Sequence, residues 1–301
     1  AVTPFNHPLN AIAHNIAPAI ASGTSMVLKP SDKTPLTALK LGEILVNCGM
    51  PPNLINIVTG VPSKHIVERL IAFSKFDVLS FTGSVQVGKA IAKMLVKSGN
   101  ELKRFIPELG GNARFIVMDD CDVDVAVDIA MHAFKHSGQR CTAVGKILLH
   151  NAVADQFLER FLGKTQMLKS GDPLDPETDV GTVINEEQAK LIEIRVYNAV
   201  WKGSARILIG NQIRGALYSP TIVDFVDQNS ELALKETFGP VVSITRINGL
   251  EEAICLIEWP QRGGEGVPKA DLVFVFEYQN DYRDVEYHVK STKGQSIIDQ
   301  L

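Results

Sequence analysis

Cysteine is scarce in this sequence, and none of it is spaced for cross-linking or for metal. The 301 residues hold four, Cys48, Cys121, Cys141 and Cys255, far apart, with no C-x-x-C pair and no histidine at zinc-ligand spacing. A disulfide framework and a structural metal are therefore not expected, and a reducing compartment fits. Missing too is any apolar run of the roughly 18 residues that a membrane helix requires, as is a basic N-terminal segment leading into an apolar one. The expectation is a soluble, unexported, cytoplasmic protein that binds no membrane. No sign of charge dominates: 30 basic residues face 34 acidic ones for a net charge of −4. That balance argues against nonspecific nucleic-acid binding, which needs a clustered basic face.

What is present is ordinary globular material, 45% hydrophobic and 21% charged, which excludes disorder and coiled-coil architectures. Short β-branched runs alternate with helical spacing, the pattern of a parallel sheet covered by helices, so the class is α/β. Ser25 to Lys29 and Leu54 to Thr59 read as buried strands flanking a helix over Leu36 to Cys48. Val78 to Thr82 is a further strand, running through Gly83 and Ser84 into a helix with Val87, Ile91 and Leu95 on one face. This βαβ series is a frequent dinucleotide scaffold. After the turn at Leu109-Gly110-Gly111 a second α/β set begins: strand Arg114 to Met118, helix Val123 to His136, a loop around Cys141, strand Lys146 to His150 and helix Val153 to Leu168. The expected domains are 1–108, a partial Rossmann-type dinucleotide-binding domain; 109–257, a second α/β domain carrying a thiol nucleophile; and 258–301, a divergent tail. In that tail Gly263 to Gly266 reads as a flexible junction and Leu272 to Phe276 as a strand.

Several positions carry candidate chemistry. Gly83 to Lys89 fits the phosphate-loop template except that Ala90 stands where a magnesium-binding hydroxyl belongs. Two readings stay open: a helix N-terminus that receives a pyrophosphate, or Ser84 as a plain N-cap. Lys29 and Asp32 follow a buried strand at its C-terminal end, where parallel sheets bind ligands, although a lysine and a carboxylate in a turn are commonly just solvated. Cys141 lies in the polar loop Ser137 to Thr142 beside Arg140, a cation that favours thiolate. A random intracellular cysteine is more often a buried, inert thiol, the expectation for Cys48, Cys121 and Cys255. Glu108, between Pro107 and the glycine turn, is placed as a general base or as a surface acid. The acidic cluster Asp119 to Asp128 departs from a calcium loop at Val125 and Met131 and reads as a helix N-terminus.

Six stretches taken together resemble the aldehyde dehydrogenase superfamily: Thr3 to Pro8, Lys29 to Pro35, Phe81 to Ser84, Glu108 to Gly111, Gly138 to Cys141, and Glu236 to Pro240, in the family's order and covering about Ala1 to Ile257. The resemblance implies NAD-dependent oxidation of an aldehyde to an acid, with NADP as the alternative cofactor. It implies Cys141 as nucleophile, Asn6 as oxyanion donor and Glu108 as the base that hydrolyses the thioester. It further implies Lys29 and Asp32 at the adenosine ribose, Gly83 and Ser84 at the pyrophosphate, and Glu236 with Phe238 at the nicotinamide ribose. The local sequences around Asn6 and Cys141 are most similar to branches acting on small polar or anionic aldehydes, of the phosphonoacetaldehyde and lactaldehyde dehydrogenase type. In that comparison Arg140 and His7 meet the substrate's anion. Family members form homo-oligomers. Relative to them the chain is expected to be truncated at both ends, and Asp32 stands where glutamate is usual. A non-catalytic remnant that at most binds a dinucleotide or a partner subunit is the alternative to an enzyme.

Overall fold

The alternating runs resolve, in a computed structural model, into two layered sets of parallel strands. The structure describes residues 1–73, 75–249, 272–278, 283–292 and 295. Helix α1 (Pro8–Ala21) starts on a proline, whose missing N–H costs nothing in a first turn, and buries Ile12, Ile16 and Ala19. Strand β1 (Met26–Leu28), helix α2 (Pro35–Asn47) and strand β2 (Ile55–Ile57) form a βαβ unit with parallel pairing. Helix α3 (Ser63–Ala72) leads to a second such unit of β3 (Val78–Gly83), α4 (Val85–Lys97) and β4 (Arg104–Leu109), again parallel. Val2 bridges Lys29 and Phe81 in parallel register, so the first residues stitch the two strand pairs together. Val2 N–H donates to the Ser80 carbonyl at 2.9 Å, and Lys29 N–H donates to the Ala1 carbonyl at 2.9 Å. The chain then leaves this seam at Phe5-Asn6-His7, beside the strand ends that carry Lys29 and Gly83.

The next set begins with β5 (Arg114–Val117) and α5 (Val123–Met131), then β6 (Lys146–His150), α6 (Ala154–Gln166) and α7 (Glu186–Trp201). It continues through β7 (Arg206–Ile209), the small hairpin of β8 (Ile213–Arg214) and β9 (Leu217–Tyr218), β10 (Thr221–Asp224), the short α8 (Glu231–Leu234) and β11 (Val241–Ile247). The sheet order is β5-β6-β11-β10-β7, parallel except where β7 runs against β10. Successive residues on these strands face opposite ways: Ile222 joins a core with Phe134, Phe157 and Phe161, whereas its neighbour Val223 joins one with Ile192, Val196 and Tyr218. Helices α5 and α6 cover the first face and α7 the second.

Several expectations need correction. The helix expected to reach His136 is α-helical to Met131, tightens into a 3-10 turn over 132–134 and leaves helical geometry at Lys135. On α4 the buried stripe is Gly88, Ile91 and Leu95, while Val87 sits at the exposed edge. In β1 only Leu28 is fully buried, and Val27 is exposed. Cys48 caps the C-terminus of α2 and is exposed, and Cys121 is half-buried, so neither is the buried thiol expected. Asp122 caps α5, accepting from Asp124 N–H at 2.9 Å and Val125 N–H at 3.2 Å. Among the described residues no helix is long and apolar enough to cross a membrane.

Contacts divide the chain into two units, Ala1–Ala253 and Ile254–Leu301. In the second, β12 (Leu272–Tyr278) pairs antiparallel with β13 (Arg283–Val289), from Leu272 opposite Val289 to Tyr278 opposite Arg283. The strand expected at Leu272 to Phe276 is part of this ribbon. Cys255, Trp259 and the Gly263 to Gly266 junction lie outside the described residues.

Candidate active site

The loop that carries Cys141 is built on unusual backbone. His136, Ser137 and Gly138 have φ of 53°, 53° and 66°, three consecutive residues in the left-handed region. For the two non-glycine residues that conformation costs roughly 1–2 kcal/mol each. Specific bonds offset the cost. Ser137 Oγ donates to the Gly181 carbonyl at 2.9 Å, and Gln139 Oε1 accepts from Ile184 N–H at 2.7 Å. Asn6 Nδ2 donates to the Gln139 carbonyl at 2.9 Å, tying the N-terminal seam to this loop. A side chain on Gly138 would strike the Gly239 carbonyl, and one on Gly111 would strike the carbonyl of Cys141. Only glycine lets the Leu109-Gly110-Gly111 turn lie against the Cys141 loop. The outcome is an exposed Cys141 at the end of a rigidly held segment.

Other predicted residues gather around it. Glu108 occupies the penultimate position of β4, exposed, in register with Thr82. Gly110 N–H donates to the Gly83 carbonyl at 3.0 Å, joining the turn after Glu108 to the turn before α4. His7 stacks edge-on against His136, ring centres 5.0 Å apart. Burial, with the charges of His136 and Arg140, holds the His7 pKa below its ordinary value and favours its neutral ring, so the Arg140 guanidinium carries the positive charge at this mouth. His136 was not among the residues singled out from the sequence, since nothing in its spacing marks it.

The residues expected at a cofactor lie on neighbouring segments. Lys29 is buried, and its Nζ donates to Ser63 Oγ at 2.5 Å. Burial lowers its pKa and the Asp32 charge opposes that. Asp32 itself is exposed and lines a cleft of about 430 Å³ with Phe5, Ser31, Lys33, Asn185 and Gln188. Ser84 caps α4, accepting from Val87 N–H at 3.3 Å. Phe238, at φ 53°, sets its ring edge-on to Phe5 at 5.9 Å.

Glu236 is the most informative of these positions. Its Oε1 is buried without a hydrogen-bond partner, as is the neighbouring Thr237 Oγ1. Burial raises the Glu236 pKa, against a Gly111 backbone hydrogen bond and the charges of Arg195 and Lys146. An orphaned buried carboxylate oxygen is costly unless a ligand supplies donors. The vicinal hydroxyls of a ribose are such donors, and the N-terminus of the 13-residue α4 beside Gly83 and Ser84 suits a phosphate. The residues present thus fit a dinucleotide. Among the described residues no group of three or more His, Cys, Asp or Glu side chains is arranged to hold a metal.

Residues 1–261 match the family described as "Aldehyde dehydrogenase family". The chain is 38% identical over 262 residues to aspartate-semialdehyde dehydrogenase 1 of Pseudomonas canavaninivorans, covering 87% of this chain and 54% of that protein. It is 40% identical over 253 residues to lactaldehyde dehydrogenase of Methanocaldococcus jannaschii, covering 82% and 53%. Among solved structures, betaine aldehyde dehydrogenase of Staphylococcus aureus in complex with NAD⁺ superposes with a TM-score of 0.78 at 32% identity, covering 83% of this chain and 50% of that one. The chain spans about half the length of the curated relatives it matches.

Proposed function

The chain belongs to the aldehyde dehydrogenase family, and from that premise we propose that it takes part in NAD(P)-dependent oxidation of a small polar or anionic aldehyde to the carboxylic acid, with Cys141 as the nucleophile. The observation that carries this reading is the exposed Cys141 held between the Glu108–Gly111 turn and the Asn6 amide. The Cys141 sulfur, as thiolate, attacks the carbonyl carbon and forms a thiohemiacetal. Its oxyanion is received by the Cys141 backbone N–H and the second amide hydrogen of Asn6, the first being committed to Gln139. The oxidised nicotinamide, when bound, supplies the hydride acceptor. Glu108 then takes a proton from water; the resulting hydroxide adds to the thioester carbon, the carbon–sulfur bond breaks, and the acid leaves with Cys141 restored as thiolate.

Lys29 and Asp32 hold the adenosine ribose, Gly83 and Ser84 the pyrophosphate, and Glu236 with Phe238 the nicotinamide ribose. The mouth formed by the Arg140 guanidinium and the His7 ring selects an anionic substituent. Relatives named for aspartate semialdehyde, which bears a carboxylate, and for lactaldehyde support that class. The test follows nicotinamide reduction by the full chain with NAD⁺ or NADP⁺ against paired anionic and neutral aldehydes of equal length. Turnover that favours the anionic aldehyde, lost in Cys141→Ser and with the preference erased in Arg140→Leu, is expected. No reduction with any aldehyde, or acyl-coenzyme A as main product when water and coenzyme A compete, overturns it.

A further inference from the structure

From α8 to β11 the carbonyls of Leu232, Ala233, Leu234, Glu236, Thr237 and Phe238 accept from side chains elsewhere in the fold, while those of Gly239 and Pro240 accept from backbone N–H groups. Lys146 Nζ, at the start of β6, donates to the Leu232 carbonyl. Asn112 Nδ2 reaches the Ala233 carbonyl at 3.3 Å and that of Leu234 at 3.0 Å. From α7, Arg195 Nη1 donates to the Glu236 carbonyl, and Gln188 Nε2 donates at 3.0 Å to both the Thr237 and Phe238 carbonyls. Arg195 Nε also lies 3.6 Å from Glu231 Oε1 at the other end of the segment. Donors anchored on a strand, a helix and the turn after Gly111 therefore grip one stretch of backbone at both ends.

The cost of this arrangement shows that it does more than fill hydrogen-bond valences. Lys146 is only 5% exposed, and the Arg195 side chain 14%. Burying an amine and a guanidinium on neutral carbonyls is expensive where an exposed loop would use water. Besides Arg195 Nε, the buried side-chain atoms Glu236 Oε1 and Thr237 Oγ1 stay unpartnered. They line a small cavity together with Gly111, Arg140, Lys146 and Phe238. Binding groups fixed before the ligand arrives lose less entropy when it does.

We propose that Asn112, Lys146, Gln188 and Arg195 are positioning residues that pre-set Glu236 and Phe238 for the nicotinamide ribose of a dinucleotide. The inference rests on the functional reading above. Because Asn112 follows the Gly110-Gly111 turn, the grip also links that segment to the turn packed on the nucleophile loop. The residues act on the affinity for dinucleotide and leave the thiol's own reactivity alone.

The test is calorimetric titration of the full chain with NAD⁺ and NADP⁺, for the unaltered protein, Arg195→Ala, Arg195→Lys and Asn112→Ala. The rate at which iodoacetamide alkylates Cys141 is measured in parallel without dinucleotide. Arg195→Ala is expected to raise Kd about 10-fold, the loss of one charge-assisted hydrogen bond. Arg195→Lys recovers most of that affinity, Asn112→Ala shows a smaller rise, and all three keep the alkylation rate. Affinities equal to the unaltered protein's in both alanine variants overturn the inference and leave the functional reading standing. Alkylation and affinity changing together in both reduce the four residues to general scaffolding and overturn it too. Failure of the unaltered chain to bind either dinucleotide defeats the functional reading, and the inference with it.

Discussion

Lys146 shows how far surroundings outweigh residue type. Burial, with help from the Arg195 and Arg114 charges, lowers its pKa to about 7 from an ordinary 10.5. Between those two values the unfolded chain holds a proton that the folded protein has given up, so stability rises with pH across that window. Below about 7 the folded state bears the full cost of charging a buried amine. Urea unfolding at a series of pH values is expected to show this rise, and Lys146→Met to flatten it; an unchanged slope in the variant refutes the assignment. Cys141 was legible from its loop and from the family resemblance. Lys146, Arg195 and Gln188 were not, because a cation inside a strand or helix reads as a solvated face until the fold shows what covers it.

At the scale of elements, local pattern served well where a segment forms its own bonds and poorly where distant segments decide. Strand Lys146–His150 is bounded as its apolar run predicts, and α2 within a residue at each end. The helix expected over Val123 to His136 becomes a 3-10 turn after Met131 and leaves helical geometry at Lys135, where bonds to Gly181, Ile184 and Asn6 hold the loop that follows. Two glycines separate the local effect from the distant one. Gly138 has φ 66° and faces the Gly239 carbonyl, whereas Gly163 sits inside α6 with open space where a Cβ would go. Gly138→Ala is expected to lower the midpoint of thermal unfolding and slow Cys141 alkylation, while Gly163→Ala stabilises by roughly 0.5–1 kcal/mol. Equal effects at the two sites in a thermal scan would contradict this division.

For the whole chain, the residues proposed to hold a dinucleotide come from segments far apart: Lys29 and Ser84 at the ends of strands in the first set, Glu236 and Phe238 from the segment before β11 in the second. Their assembly is thus a property of the folded unit Ala1–Ala253, and binding must be linked to its stability. Saturation at 100 times Kd is expected to raise the free energy of unfolding by about 2.7 kcal/mol. Thermal scans of the full chain with and without NAD⁺, then NADP⁺, read this directly; a transition indifferent to both counts against an assembled site.

The sequence by itself determined the α/β class and the succession of most elements, because helical and strand periodicity and the glycine-bearing turns are local properties of the chain. It also carried the family, since six short motifs in order are improbable together. Only the tertiary structure decided that Val2 closes the gap between two strand pairs, that Asn6 secures the Cys141 loop through Gln139, and that the backbone before β11 is gripped by four distant side chains. Those are long-range hydrogen bonds between irregular segments. Irregular backbone has no periodicity to read, and its partners are chosen by what the sheets bring within reach.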